Sequence, residues 1–166
     1  MIERIVRAIR LDWTVFGEIA DDPKAMKEAA IIVAIVTFLS AVGSGLANQS
    51  LASFIVAWLV AILIGWLGWA VITYLVGTAL FKGETNIPEM MRVLGYANAP
   101  HLLGFFAFIP CVGWLLPVIG WVLALVAGVL AIREALNLDT NKAIFTGLIS
   151  WVIIAAIRAV FWIVIG

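Results

Sequence analysis

The chain has 166 residues, 65% of them hydrophobic, and a mean hydropathy of +1.17. Soluble domains are about 45–50% apolar, so a water-soluble globule is excluded. Ten basic and ten acidic residues cancel, which removes the electrostatic footprint of a nucleic-acid binder. The single cysteine, Cys111, rules out an internal disulfide. One histidine, with no carboxylate inside the apolar blocks, supplies little for a metal site.

Four apolar blocks dominate, at residues 29–47, 51–81, 102–132 and 143–166, each of 18 or more residues. That length crosses a hydrocarbon core of about 30 Å as an α-helix. The alternation of an outer-membrane strand is missing, so the spans are read as helices, which satisfy their own backbone in lipid. No cleavable signal is expected, because the segment before Ala29 is long and mixed in charge.

In chain order, Ile2, Ile5, Val6, Ile9, Trp13 and Phe16 recur at helical spacing, with Glu3, Arg4, Arg7 and Arg10 on the other face. This predicts an amphipathic helix over residues 2–16, lying in the headgroup plane, packed on the protein's own bundle, or both. Asp22 and Pro23 suit an N-cap and a first helical position. They open a first span at about 26–47, followed by an uncharged turn at 48–53 and a second span at about 54–80. Asn86 and Glu89 match a capping box. Pro100, Pro110 and Pro117 then interrupt the sequence. The reading is a third helix at about 89–113, kinked near Pro100, and a fourth from Pro117 to about Arg133. A re-entrant hairpin is the alternative. Asp139 or Thr140 caps a fifth span at about 142–165. The expected fold is therefore all-α: an integral membrane bundle of five transmembrane helices (26–166) behind an N-terminal amphipathic interfacial segment (1–25).

Nineteen of the twenty charges fall in residues 1–28, 81–92 and 133–142. Five spans put all three stretches on one side, and positive loops favour the cytoplasm. A cytoplasmic N-terminus and an outside C-terminus are expected.

Arg158 is the exception, an ionisable group within the last span and so a functional candidate. It lies roughly 22 Å from the cytoplasmic end at 1.5 Å per residue. Either it snorkels to the outer headgroups, or it contacts a lipid phosphate or a partner protein. Gly120, Ala124 and Gly128 recur every fourth residue on the fourth helix, as do Ala41 with Gly45 and Ala143 with Gly147 on the first and fifth. Such rows let helices approach closely. Of the eight tryptophans, Trp13, Trp58, Trp114 and Trp162 fall near expected interfaces. Trp66, Trp69 and Trp151 fall nearer mid-membrane, and Trp66 and Trp69 are spaced to share a helix face. These read as packing or lipid contact, with a pigment or quinone as the sharper alternative. His101 reads as structural and Cys111 as a small buried hydrophobe. No nucleophile–base pair, carboxylate dyad, phosphate loop or metal spacing is present, so no enzyme, cofactor or metal is expected.

Three segments carry a family likeness. The first is Phe16-Gly-Glu-Ile-Ala-Asp-Asp-Pro23. The second is Leu80-Phe-Lys-Gly83, then Ile87, then Arg92-Val-Leu-Gly-Tyr96-Ala-Asn-Ala-Pro100. The third is Pro110-Cys-Val-Gly-Trp114, followed by Ala131-Ile-Arg-Glu134 and Asn141-Lys-Ala143. In this order they resemble the Yip1-domain family across nearly the whole chain. The resemblance implies five spans, a cytoplasmic N-terminus and no catalytic residues. It gives Gly95, Tyr96 and Pro100 a structural role. Eukaryotic members associate with Rab-type GTPases and with one another; the short N-terminal segment here resembles a compact prokaryotic form instead, in a cytoplasmic membrane. The expected function is a non-enzymatic scaffold for membrane lipids and partner membrane proteins, in homo- or hetero-oligomers and without nucleic acid. An accessory subunit of a larger complex and a small transporter are the alternatives.

Overall fold

The amphipathic N-terminal stretch folds as two helices. A computed structural model describes residues 1–45, 51–108, 113 and 115–165, and in it α1 (Ile2–Ile9) and α2 (Thr14–Asp21) meet at a sharp turn. Leu11 takes a left-handed conformation there, with φ of 59°. The N–H groups of Leu11 and Asp12 donate to the carbonyls of Ala8 and Arg7, closing α1 at its last turn. Asp12 then restarts the chain, its carboxylate accepting from the backbone N–H and hydroxyl of Thr14 at 3.1 and 2.6 Å. The helical spacing over 2–16 was compatible with one rod. The Asp12–Thr14 side-chain turn competes with the helix ladder and wins.

Asp22 caps the next helix as expected, accepting from the Lys24 N–H at 2.9 Å, and α3 (Ala25–Gly45) follows. Next comes a long helical run, α4 (Leu51–Val60), a π-helical segment (Ala61–Gly68) and α5 (Trp69–Phe81). It ends where Lys82 turns left-handed at φ 56° and Gly83 N–H reaches the Gly77 carbonyl. Gly83 is needed for space: a Cβ there would sit 2.7 Å from the Leu136 side chain.

Asn86 caps α6 (Ile87–Ala97), its Oδ1 accepting from Glu89 N–H at 2.9 Å. The helix stops at Ala97. Asn98 turns the chain, and a 3₁₀ segment runs over Ala99–Phe108. A continuous kinked helix over 89–113 is therefore not what forms. Pro100 has no N–H and disfavours the α conformation at the residue before it, so the α ladder ends and a tighter one begins. α7 (Leu115–Leu136) and α8 (Thr140–Ile165) complete the chain. Asn137 is left-handed at φ 51° between them, and Asp139 accepts from Lys142 N–H.

The molecule is all-α and is centred on α6. Met90 and the unbroken run from Arg92 to Ala97 are buried, because α2, α3, α5 and α7 all pack against that helix. The outer faces of α7 and α8 are the reverse: Trp121, Leu125, Phe145, Leu148, Trp151 and Val152 stand exposed. So large an apolar surface suits lipid, not water. Among the described residues, three stretches are long and apolar enough to cross a membrane: Trp58–Phe81, Leu115–Leu136 and Thr140–Ile157.

The three charged stretches of the sequence meet at one end. Glu84 N–H donates to the Leu136 carbonyl. The Arg133 guanidinium lies over the Trp13 ring at 5.2 Å, a cation–π distance. Arg92 reaches under α2.

Candidate functional site

The densest polar arrangement lies where α1, α2 and α3 meet α6. Arg92 is buried, with 8% of its surface exposed. Its Nε donates to the Ile19 carbonyl at 3.2 Å and one terminal nitrogen donates to the Ala20 carbonyl. These are carbonyls of the last turn of α2, which carry its negative dipole end; Ile19 otherwise accepts only a 3.4 Å bond from the Asp22 N–H at the C-cap. Among the described residues, no carboxylate lies within ion-pair distance of Arg92. The guanidinium is held by backbone alone and works as an internal cap.

One turn further along α6, the fully buried Tyr96 donates its hydroxyl to Glu28 on α3. Glu28 lies 3.7 Å from Arg4, and Arg4 bonds Asp22 at 2.8 Å. Gly95 sits between Arg92 and Tyr96 because α3 passes directly over it. A Cβ at that position would come within 2.6 Å of Ala29 Cβ and 3.2 Å of its Cα. Pro100 closes the same surface from the other side: its carbonyl would lie 2.7 Å from a Cβ at Gly120 of α7. The Arg92-to-Pro100 motif thus binds α6 to α2, α3 and α7 through one buried guanidinium, one hydroxyl and two backbone approaches.

A second polar knot locks the turn between α1 and α2. Arg7 bonds Asp12 at 2.8 Å and both oxygens of Glu18 at 2.8 Å. These groups shift one another. The Thr14 hydroxyl and then Arg7 hold the Asp12 carboxyl below its ordinary range. Arg7 does the same for Glu18, and Arg4 for Asp22. Arg4 and Arg7 are raised in turn by the hydrogen bonds they donate.

The other candidates fall elsewhere. Gly128 of α7 faces Trp69, where an added Cβ would lie 3.4 Å from the ring, and Ala124 is buried on the same helix face as Gly120. Ala143 is fully buried, and Gly147 faces Ile132. Trp66 and Trp69 do not share a face. Trp66 donates to the Met91 carbonyl on α6 at 3.0 Å, whereas Trp69 turns toward α7. The wider π turn between them rotates the two rings apart. Trp58 donates to Thr37 Oγ1 at 3.0 Å. His101 lies half-buried in the 3₁₀ segment. Arg158 belongs to α8, but its side chain lies outside the described residues, as do the side chains of Ala41 and Trp162, the surroundings of Gly45, and residues Cys111 and Trp114.

Trp69, Trp121 and Trp151 come together around a groove of about 310 Å³ between α5, α7 and α8, with Gly128 and Gly147 along it. Among the described residues, no His, Cys, Asp or Glu cluster could hold a metal ion.

The Yip1 domain profile matches residues 14–162. The chain belongs to the Yip1 domain family. That family consists generally of non-enzymatic membrane proteins, in keeping with apolar spans and a polar site built from backbone contacts. No curated protein and no solved structure matches the chain. Within this Yip1-domain protein, sequence reasoning singled out Gly95, Tyr96 and Pro100 but passed over Arg92 and Glu28. The signal was present in the register. Arg92 precedes Gly95 and Tyr96 by three and four residues, which puts all three on one helix face.

Proposed function

We propose that this Yip1-domain protein is a non-catalytic membrane organiser. It crosses the bilayer five times, with its charged end in the cytoplasm, its C-terminus outside, and residues 1–25 at the interface. It gathers lipids and partner membrane proteins along its apolar flank. The observation that carries this reading is the division of the molecule. Charged side chains are largely engaged with one another at one end, as in the Arg4, Arg7 and Arg133 pairs. The exposed surface of α7 and α8 is a broad apolar field. Among the described residues, the chain offers contact area and no His, Cys, Asp or Glu cluster able to hold a metal ion.

Ile2, Val6 and Trp13 remain exposed on the N-terminal helices, which suits partial insertion beside the headgroups. Arg158, placed in the outward half of the last span, is the proposed contact for a lipid phosphate or a neighbouring subunit. Gly95, Tyr96 and Pro100 hold the core, and Gly120, Ala124 and Gly128 let helices pack.

Purification in mild detergent, with identification of whatever travels with the protein, tests this function. Lipid or partner membrane proteins retained with wild type and lost from Arg158→Leu are expected. Solute flux through reconstituted vesicles, with nothing co-purifying, overturns the organiser in favour of a transporter. A reporter after Gly166 that reads as cytoplasmic overturns the five-span topology.

A further inference from the structure

The groove between α5, α7 and α8 has a depth profile that matches one leaflet. Its shallow end is formed by Ile132 and Ile144, each about 6 Å along its helix from the charged loops at 1.5 Å per residue. Its deep end is formed by Trp69, Trp121 and Trp151, roughly 16–22 Å from those loops. With the first turn of each helix in the headgroup region, the tryptophans reach mid-membrane, about 15 Å into the hydrocarbon. The groove therefore begins just below the headgroups on the charged side and stops near the bilayer centre.

Its walls are carbon apart from the indole nitrogens. The lining side chains carry no charged or hydroxyl group, and among the described residues the buried Trp69 N–H has no partner. The floor is low because Gly128 and Gly147 carry no side chain, while Leu125 and Leu148 rise beside them as exposed ridges. The volume, about 310 Å³, stands at the small end of the range for small-molecule sites, roughly 300–1,000 Å³.

We infer that this groove holds one acyl chain of a phospholipid from the leaflet on the charged side. The inference deepens the organiser reading and rests on its assignment of the helices as spans. Three observations favour a lipid tail. All three walls belong to stretches able to cross a membrane, so hydrocarbon is the surrounding solvent. Its lining starts at the charged end of the helices and does not continue past Trp121 and Trp151. Its length is that of a single leaflet.

The test uses the full chain and has two arms. In the first, native mass spectrometry counts phospholipid retained in mild detergent. Wild type should keep one phospholipid per chain. Gly147→Leu and Val129→Phe, which fill the groove from two different helices, should lose it while remaining folded. Equal retention by wild type and both variants overturns the inference. So does a wild-type dimer that Gly147→Leu dissociates, since the groove then receives a second copy.

The second arm needs no variant. Wild type in mixed micelles of mild detergent and phosphatidylcholine brominated on the acyl chain is diluted into excess mixed micelles of unbrominated lipid, and tryptophan emission is followed. A slowly recovering fraction of the quench marks a held lipid. Recovery that tracks bulk dilution at once overturns the groove site. Absence of quenching before dilution overturns the spanning assignment instead, so the two failures are distinguishable.

Discussion

The α6-centred core and the α7–α8 flank are built from similar amino acids and held by different physics. Around α6, contacts are close enough that single atoms matter: Gly95 beneath Ala29, Gly120 against the Pro100 carbonyl, Arg92 on the end of α2. Along the flank, Leu148, Trp151 and Val152 point outward with more than half of their surface free. Lipid tails are as apolar as leucine, so burying such residues against protein gains little over leaving them in the bilayer. Specificity is therefore concentrated where backbone approaches and polar bonds occur, and the flank is left free for association.

Substitutions should separate the two regions sharply. Arg92→Leu should have the largest effect. It leaves the Ala20 carbonyl buried without a donor and leaves Ile19 with only the 3.4 Å bond from the Asp22 N–H, at roughly 3 kcal/mol for lost bonds to a charged group. Amide exchange along α2 should rise strongly. If exchange stays at the wild-type level, the internal cap contributes nothing. Gly95→Val comes next. Its side chain meets Ala29 backbone as well as Cβ, an overpacking cost of about 1–3 kcal/mol, read as a lowered unfolding temperature in detergent. Gly104→Ala is the contrast, with nothing within 4 Å of the added Cβ. Its unfolding temperature should be unchanged.

Tyr96→Phe should cost about 1 kcal/mol by removing one hydrogen bond to Glu28. Glu28 keeps its contacts with Arg4 and the N-terminal ammonium, so an unfolding temperature equal to wild type would show that the Tyr96 hydroxyl contributes nothing.

Acid should have a local effect. Asp12, Glu18 and Asp22 are held below their ordinary values. Their contribution is present above an unfolded pKa of about 4 and is lost as pH falls through the lower folded values. Below about pH 4, protection factors (intrinsic over observed exchange rate at that pH) should fall across α1 and α2 while α7 and α8 keep theirs. Uniform loosening of both regions would erase the distinction.

Much of this fold was legible because helix signals are local. Asp22, Asn86 and Asp139 cap where their side chains and neighbours indicated. Long charge-free blocks mark helices because lipid leaves the backbone no other partner. Three expectations failed for non-local or competing reasons. Residues 2–16 kept a helical spacing across the Asp12–Thr14 turn, so periodicity could not reveal the break. Residues 89–113 contained the proline that ends α6, but proline alone does not distinguish a kink from a change to 3₁₀ geometry. Trp66 and Trp69 were spaced for one face of an α-helix, and the π segment between them changed the angle.

For the candidate site, the motif Gly95, Tyr96 and Pro100 was visible while its purpose was not. A buried arginine in a short polar stretch looks in sequence like any loop cation. Only the docking of α2 over α6 brings the carbonyls of the last turn of α2 to Arg92 and turns a topology signal into a core contact.

The sequence by itself determined the solvent and the family, because hydropathy and motif order are written residue by residue. The tertiary structure decided which residues became partners. It alone joined three charged stretches at one end, placed Arg92 under a helix terminus and arranged Trp69, Trp121 and Trp151 around one groove. Those pairings depend on where separate helices cross, and a crossing is set by the side chains of both helices at once.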